Sequence, residues 1–184
     1  SIVTFVIGLI LVPFFILHKR GRRNVFQRLG LISFGLISFA NTQSEVVWIH
    51  VASLGELKGV KHLLGHMLEV NQKFIVSSIS ISALDEIKRS YPKEKIESFL
   101  LPFDSDFYYR KIFNSFKIKT FIYTESEFWP LLFSKLALED IPIVGVNIKL
   151  NERSIRRKFY SKLFFPKIFQ NLSKVFVTNS LTKN

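Results

Sequence analysis

Residues 46–56 have the sequence VVWIHVASLGE, and they decide the fold of the chain. The first six are apolar or aromatic apart from one histidine, and several are β-branched, which is typical of a strand buried on both faces. The last four, Ser53-Leu54-Gly55-Glu56, have the Ser-x-x-Glu spacing that begins helices. A buried strand that leads directly into a helix is the first half of a β-α-β unit, so this stretch predicts a parallel sheet.

The same alternation continues to the end of the chain. We predict further strands over residues 73–79, 96–101, 120–124, 142–146 and 175–178, and helices over 56–70, 82–90, 106–116, 127–138 and 154–172. Strands at intervals of about 25 residues with helices between them indicate an α/β domain with a parallel sheet. In such sheets ligands bind beyond the carboxyl ends of the strands, so polar residues that follow a strand are the candidates for function.

The composition limits the classes of protein to which this chain can belong. The 184 residues include 20 Phe, 5 Tyr and 2 Trp, which is enough apolar surface to exclude a disordered chain. The absence of cysteine excludes a disulfide scaffold, a zinc–thiolate site and a cysteine nucleophile. With 26 Lys and Arg against 14 Asp and Glu, the net charge is +12, which favours nucleic acid or a membrane surface as partner. The sequence has no helix-turn-helix, zinc-finger, RNP, Walker A or Gly-x-Gly-x-x-Gly pattern.

The first 17 residues contain no charged side chain, and a basic cluster begins directly after them. At about 1.5 Å per residue this apolar run covers roughly 26 Å, the short limit for a membrane-spanning helix. We predict a membrane anchor over 1–20, a membrane-proximal linker over 21–44 and a domain over 45–184. The positive-inside tendency places that domain in the cytoplasm. A cleaved signal peptide, a buried core helix and an interfacial helix are the alternatives.

Two interpretations of the residues after the first strand compete. Ser53 and Glu56 can form a capping box, in which each side chain accepts a hydrogen bond from the other residue's backbone N–H. Alternatively, Gly55 permits a ligand to approach closely, and Glu56 is a carboxylate that takes a proton from a substrate hydroxyl. Taken alone, the spacing favours the capping box.

A second pair of carboxylates follows the strand predicted over 120–124. Thr124 and Glu127 again have capping-box spacing, which leaves Glu125 without a local structural role. Two carboxylates at the end of one strand in a basic protein are more suggestive of function than either alone. We therefore give a functional role and a structural role for Glu125 equal weight.

Three other polar positions have more ordinary interpretations. His50 ends the first strand and either orients a ligand or is a buried, hydrogen-bonded histidine. Asp104 is interpreted as a turn or helix-cap residue. His62 and His66 are four residues apart on a predicted helix, but no third ligand is evident, so we interpret them as surface histidines.

Residues 147–160, with the sequence NIKLNERSIRRKFY, carry five cations. They form either a solvated basic helix or an anion site for phosphates or an acidic lipid surface. Lys149 and Arg153 are the first two of these cations, and Asn147 directly follows the strand predicted over 142–146.

Four groups of residues together resemble the N-terminal half of the 3-deoxy-D-manno-octulosonic acid (Kdo) transferases of lipopolysaccharide synthesis. The groups are Trp48-Ile49-His50-x-x-Ser53-x-Gly55-Glu56, Leu101-Pro102-x-Asp104, Glu125-x-Glu127-Phe128-Trp129-Pro130 and Asn147-x-Lys149-Leu150. Their order and spacing, and the basic N-terminal anchor, agree with the family over essentially the whole chain.

The resemblance implies the acceptor-binding half of a GT-B glycosyltransferase, a Rossmann-like domain that faces a nucleotide-binding domain across a cleft. The family transfers Kdo from CMP-Kdo to a glucosamine hydroxyl of the lipid A precursor (lipid IVA), with inversion and without an essential metal or other cofactor. By the resemblance, Glu56 is the general base and Glu125 stabilises the transition state. We assign substrate binding to Ser53, Gly55, Glu127, Asn147, Lys149 and Arg153.

The resemblance also implies partners and a location. The partners are the lipid A precursor and inner-membrane lipids, with CMP-Kdo bound by the second domain, and nucleic acid is not among them. The location is the cytoplasmic face of the inner membrane of a Gram-negative bacterium.

Some features depart from the family's usual pattern. Lys149 stands where Arg is usual, Asn151 stands where Ser is usual, and residues 77–82 are serine-rich in place of a loop with threonine and glycine. The nucleotide-binding domain is not within these 184 residues, so we expect the chain by itself not to turn over. The alternative to a transferase fragment is a non-catalytic, membrane-associated module, left by truncation, that binds an anionic lipid.

Overall fold

A computed structural model of the chain describes residues 45–101, 104, 106–125, 129–148 and 172–177. The predicted membrane anchor over 1–20, the linker over 21–44 and most of the basic helix predicted over 154–172 lie outside these residues. Within the part of the chain that the structure describes, no helix is both long enough and apolar enough to cross a membrane.

Six strands and five helices alternate along the described residues. The strands are β1 (Glu45–His50), β2 (Phe74–Ser78), β3 (Ile96–Leu100), β4 (Lys117–Thr124), β5 (Ile143–Ile148) and β6 (Leu172–Val177). The helices are α1 (Leu54–Gly59), α2 (Lys61–Glu69), α3 (Ile81–Ser90), α4 (Asp106–Ser115) and α5 (Pro130–Leu138).

The strands form one sheet in the order β3-β2-β1-β4-β5-β6, and every pair of neighbours is parallel. This is the strand order of the Rossmann fold. The predicted α/β domain with a Rossmann-like parallel sheet is therefore confirmed. Strand β1 lies inside the sheet, where Trp48 is in register with Ile75 of β2 and Phe121 of β4.

The continuous apolar run of β1 is explained by a core on each face of the sheet. Val46 and Trp48 pack on one face against helices α4 and α5, where the core is rich in aromatic side chains. The Trp48 and Phe121 rings meet edge to face with centroids 5.1 Å apart, a favourable aromatic geometry. Val47 and Ile49 pack on the other face against aliphatic side chains of α1, α2 and α3. Helices thus cover both faces, as in doubly wound folds.

Several predicted boundaries need correction. The helix predicted over 56–70 is two helices, because Val60 at the junction has φ −100° and ψ 7° and is not helical. The helix predicted from Glu127 begins at Pro130, since a residue before proline avoids the helical region and Trp129 is extended. Strand β4 begins at Lys117 rather than at 120, and β6 covers 172–177 rather than 175–178.

Candidate active site

The carboxyl ends of β1 and β4 lie at the point where the order of the strands reverses. The chain adds β2 and β3 on one side of β1 and then adds β4 on the other side. A crevice forms at such a point, and ligands bind in it. Glu56 lies in α1 after β1, and Glu125 directly follows β4. The topology therefore brings the two predicted catalytic residues to the same edge of the sheet.

Glu56 combines part of a capping box with further contacts. Ser53 is the N-cap residue of α1, and its Oγ accepts a hydrogen bond from the Glu56 N–H at 3.2 Å, as the spacing predicts. The return bond differs, because Glu56 Oε2 accepts from the N–H of Ala52 at 2.9 Å instead of from Ser53. Only 8% of Glu56 is exposed. Only one of the two hydrogen bonds of the predicted capping box is therefore present, and the Glu56 carboxylate makes other contacts instead of the return bond.

Thr124 supplies a contact to Glu56 from the neighbouring strand. Its hydroxyl donates to Glu56 Oε2 and also lies 3.2 Å from the carbonyl oxygen of His50. Thr124 does not cap a following helix, since α5 begins only at Pro130. The predicted capping-box alternative for this threonine is wrong for that reason.

The second carboxylate oxygen of Glu56 is much less constrained. Among the described residues its one hydrogen-bonding neighbour is the Ser53 hydroxyl, at 3.5 Å, which is the limit for such a bond. A carboxylate held through one oxygen with the other oxygen weakly engaged has the arrangement of a general base.

The structure gives no steric reason for the glycine at position 55. A Cβ built on Gly55 would lie 3.6 Å from Ser53 Oγ, an ordinary contact distance. The close approach of a ligand to Gly55 stays a prediction.

Two candidate site residues, Glu125 and Asn147, share an unusual backbone conformation. Their φ angles are 56° and 55°, in the left-handed region that non-glycine residues rarely adopt. The Glu125 N–H donates to the Val146 carbonyl oxygen at 3.2 Å, which ties the end of β4 to β5. Asn147 lies where the β5–β6 pairing becomes irregular, and its Nδ2 would be 3.9 Å from a Cβ placed on Gly59 of α1. Asn147 therefore approaches the same helix that carries Glu56.

His50 is part of a buried hydrogen-bonded chain, as one of its two interpretations predicts. Trp48 Nε1 donates to Ser77 Oγ at 2.9 Å, and Ser77 Oγ lies 2.9 Å from His50 Nδ1. Within the described part of the chain, the Ser77 hydroxyl therefore links the Trp48 indole to the His50 imidazole. The His50 ring also meets the Trp129 ring edge to face, with centroids 5.9 Å apart.

Tyr123 lies next to Thr124 on β4, but it is not a candidate acid or base. Burial raises the pKa of Tyr123 to about 12. Its hydroxyl would lie 2.9 Å from a Cβ placed on Gly145 of β5, so it packs across the neighbouring strand. Glycine at 145 is needed because any larger side chain would collide with this tyrosine.

Asp104 is a helix cap, as predicted, but the helix is distant in sequence. Its carboxylate accepts from the N–H groups of Leu131 and Leu132 at 2.9 and 3.1 Å, at the start of α5. It also accepts from the Tyr109 hydroxyl of α4 at 2.9 Å. Asp104 thus holds the start of α5, the helix that follows the Glu125 segment.

The remaining predicted residues divide into two groups. Glu127, Lys149 and Arg153 lie outside the described residues. His62 and His66 are exposed on α2, in agreement with their interpretation as surface histidines. In the described ranges no group of three or more His, Asp or Glu side chains is arranged to hold a metal ion.

Thr124 and the Trp48–Ser77–His50 chain are the site features that sequence reasoning missed. A polar residue that ends a buried strand is a weak signal for both Thr124 and Ser77. The partner atoms could not be predicted, because Thr124 and Glu56 are 68 residues apart in the chain.

The sheet is Rossmann-like, and the buried carboxylate of Glu56 lies at the point where its strand order reverses. These features define the class as an α/β ligand-binding domain in which Glu56 is a candidate general base. Residues 23–184 match the family described as 3-deoxy-D-manno-octulosonic-acid transferase (kdotransferase). Since this match includes most of the chain, the chain belongs to the Kdo transferase family, and the predicted resemblance is confirmed.

Individual relatives agree with this membership. The 3-deoxy-D-manno-octulosonic acid transferase of Rickettsia typhi is 29% identical over 135 residues, which are 72% of this chain and 29% of that protein. The protein of the same name from Rickettsia bellii is 31% identical over 136 residues, 72% of this chain and 32% of that protein. A probable mitochondrial 3-deoxy-D-manno-octulosonic acid transferase of Arabidopsis thaliana is 27% identical over 143 residues, 77% of this chain and 32% of that protein. The chain spans about a third or less of the length of these curated relatives.

Proposed function

We propose that this chain is the acceptor-binding part of a glycosyltransferase that transfers Kdo from CMP-Kdo to the lipid A precursor. Membership of the Kdo transferase family supports the type of reaction. The observation that carries the proposal is the geometry of Glu56, a buried carboxylate at the point where the strand order reverses. Among the described residues its Oε2 accepts two hydrogen bonds, while Oε1 has one weak contact.

The proposed step is an inverting displacement. A glucosamine hydroxyl of the acceptor attacks the anomeric carbon of Kdo, and a new carbon–oxygen bond forms. The bond from that carbon to the CMP phosphate breaks on the opposite face, and its electron pair leaves with CMP. The hydroxyl proton passes to Glu56 Oε1, so that Glu56 acts as general base. Glu125 stabilises the positive charge that develops on the sugar ring in the transition state.

Substrate binding is divided between the two halves of the proposed GT-B enzyme. Ser53, Gly55 and Asn147, with Glu127 and Lys149, contribute to the acceptor site. Arg153 and the other cations of residues 147–160 bind the acceptor's phosphates, because guanidinium and ammonium groups make strong charge-assisted bonds to phosphate. CMP-Kdo is bound by a nucleotide-binding domain outside these residues, and no metal ion takes part.

We also propose a position at the cytoplasmic face of the inner membrane of a Gram-negative bacterium. An apolar anchor over residues 1–20 with its basic flank would hold the domain beside the bilayer that contains its lipid acceptor.

An assay of the complete gene product with labelled CMP-Kdo and lipid IVA tests this function. We expect label to move to the lipid, with the anomeric configuration of the product opposite to that of the donor. Addition of EDTA is expected to leave the rate unchanged, because the proposed step uses no metal.

Binding of lipid IVA without any transfer would contradict the proposal and favour the non-catalytic lipid-binding module. Transfer that stops in EDTA and resumes with a divalent cation would contradict the metal-independent step. Retention of the donor's configuration would contradict the single displacement.

A further inference from the structure

The hydroxyl of Thr124 connects the ends of two strands to the proposed base. Thr124 is the last residue of β4 and is 1% exposed. In the described part of the chain its Oγ1 has two acceptors within reach, Glu56 Oε2 and the carbonyl oxygen of His50, but the hydroxyl has a single hydrogen. An ionised carboxylate is a stronger acceptor than a carbonyl oxygen. The hydrogen is therefore directed to Glu56 when its carboxylate is ionised, as a base must be.

The two donors to Oε2 come from different elements. The Ala52 N–H, at 2.9 Å, belongs to the turn before α1, whereas the Thr124 hydroxyl belongs to β4. A single donor would leave the carboxylate free to rotate about that bond. Donors from two elements fix the carboxylate plane relative to the sheet, and the ligand crevice lies at the edge of that same sheet.

This arrangement assigns different tasks to the two oxygens of Glu56. Oε2 is the acceptor of both donors, and it stays an acceptor when Oε1 carries a proton, because a neutral carboxyl group still has an acceptor oxygen. Oε1, whose described contact is the Ser53 hydroxyl at 3.5 Å, is the oxygen that can receive a proton.

We propose that Thr124 is a positioning residue of the transfer reaction: its hydroxyl fixes Oε2 so that Oε1 of Glu56 faces the acceptor hydroxyl. The proposal rests on the proposed role of Glu56 as general base. As a positioning residue, Thr124 itself touches neither substrate nor leaving group. Its loss therefore lowers the rate of proton transfer while substrate binding persists.

The test compares Thr124→Val with Thr124→Ser in the complete gene product, assayed with CMP-Kdo and lipid IVA. Valine keeps the shape of threonine but lacks the hydroxyl, whereas serine keeps the hydroxyl. We expect kcat of Thr124→Val to fall about 10- to 100-fold, as a misplaced catalytic group does, with both KM values nearly unchanged. We expect Thr124→Ser to restore most of the lost kcat.

Two further comparisons separate positioning from folding. Thr120→Val is the matched control, because Thr120 is a half-buried threonine of the same strand, and its kcat should equal that of the wild type. Thr124→Ala and Thr124→Ser differ by one oxygen atom, so they repeat the test if valine prevents folding. An unchanged kcat in Thr124→Val, an effect confined to KM, or a serine variant as slow as valine would overturn the proposal. If the Thr124→Val and Thr124→Ala variants both fail to fold while Thr124→Ser folds, the proposal is also overturned, because the hydroxyl then has a purely structural role.

The Glu56→Gln variant distinguishes failure of this inference from failure of the proposed function. If Glu56→Gln is inactive and Thr124→Val has normal kcat, only the inference on Thr124 is wrong. If Glu56→Gln is fully active, the base assignment is wrong and the inference falls with it. In the Glu56→Gln background, Thr124→Val is expected to have no further effect, because Thr124 acts through Glu56.

Discussion

Glu125 and Asn147 have left-handed backbone conformations at adjacent strand ends, and neither is glycine. In this region the Cβ of an L-residue approaches the following carbonyl oxygen, which costs roughly 1–2 kcal/mol. Asparagine tolerates the conformation better than glutamate does. Strained backbone clusters at functional sites, where the surrounding structure maintains it. The backbone of Glu125 is therefore an argument for its function that does not depend on any motif.

Replacement of Glu125 tests the strain directly. Glycine adopts a positive φ without the Cβ contact, whereas alanine keeps it, so Glu125→Gly should be more stable than Glu125→Ala by about 1 kcal/mol. At an ordinary strand position the order is the reverse, because glycine loses more conformational entropy on folding. Amide hydrogen exchange of the β4 core measures the difference between the two variants.

Lys119 provides the control for this comparison, since it is an exposed residue of the same strand with an ordinary backbone. Lys119→Ala should be more stable than Lys119→Gly. An alanine variant at position 125 that equals or exceeds the glycine variant would show that the residue is not strained. Transfer activity should fall in both variants at 125, because both lack the carboxylate.

Single residues of the site differ in how far sequence predicts them. Glu56 can be predicted as a candidate residue, because a Ser-x-x-Glu pattern directly after a buried strand indicates either a helix cap or a ligand-binding site. The hydrogen bond from Thr124 to Glu56 cannot be predicted from the sequence, because the spacing of Thr124 and Glu127 also fits a local capping box. Which alternative holds depends on where the next helix begins, and Pro130 decides that point.

At the scale of elements, α5 is held at its start by residues from elsewhere in the chain. Its own N-cap residue, Trp129, makes no side-chain cap hydrogen bond, and Asp104 accepts from the first free N–H groups of the helix. Asp106 of α4 adds an ion pair to Lys135 of α5 at 2.6 Å, and the hydrogen bond from Lys135 lowers the pKa of Asp106. These contacts attach α5 to α4.

Removal of the Asp104 carboxylate should loosen α5. Asp104→Ala loses the helix cap and leaves the buried Tyr109 hydroxyl without its acceptor, so we expect a destabilisation of about 2–4 kcal/mol. Hydrogen exchange of residues 130–138 is the measurement, and their amides should exchange faster than those of β1. Asp85→Ala, at an exposed position of α3, is the control and should leave the exchange of α5 unchanged. Unaltered exchange in Asp104→Ala would show that α5 does not depend on this cap.

Most elements can be predicted from local patterns, and the errors have local causes. Strand β1 and helix α3 are predicted within one residue, because apolar side chains follow one another in β1 and recur at helical spacing in α3. The first residues of β4 are missed, since exposed Lys117 and Lys119 alternate with buried Ile118 and give this segment a polar character. Only the partner strand shows why they are extended: Lys117 forms an ion pair with Glu45 of β1 at 2.9 Å.

At the scale of the whole molecule, the order of the strands creates the site. Alternation of strands and helices predicts a parallel sheet, but it does not say on which edge each strand is added. The reversal between β1 and β4 places the end of β4 beside the β1–α1 turn, and Thr124 then reaches Glu56. Sequence could predict both strand ends as candidate positions, whereas their contact is a property of the complete sheet.

The Glu56→Gln variant tests whether Glu56 is a general base and not merely a helix cap. Glutamine keeps the size of the side chain and an oxygen for the Ala52 N–H, but it cannot take the acceptor's proton. Glu94→Gln, an exposed glutamate at the opposite edge of the sheet, is the matched control.

The measurement is kcat for transfer from CMP-Kdo to lipid IVA by the complete gene product. We predict that Glu56→Gln lowers kcat by about 10²- to 10⁴-fold, the contribution of a positioned base, with the fold intact and Glu94→Gln at the wild-type rate. A folded Glu56→Gln variant that transfers Kdo at the wild-type rate would show that Glu56 is not the general base.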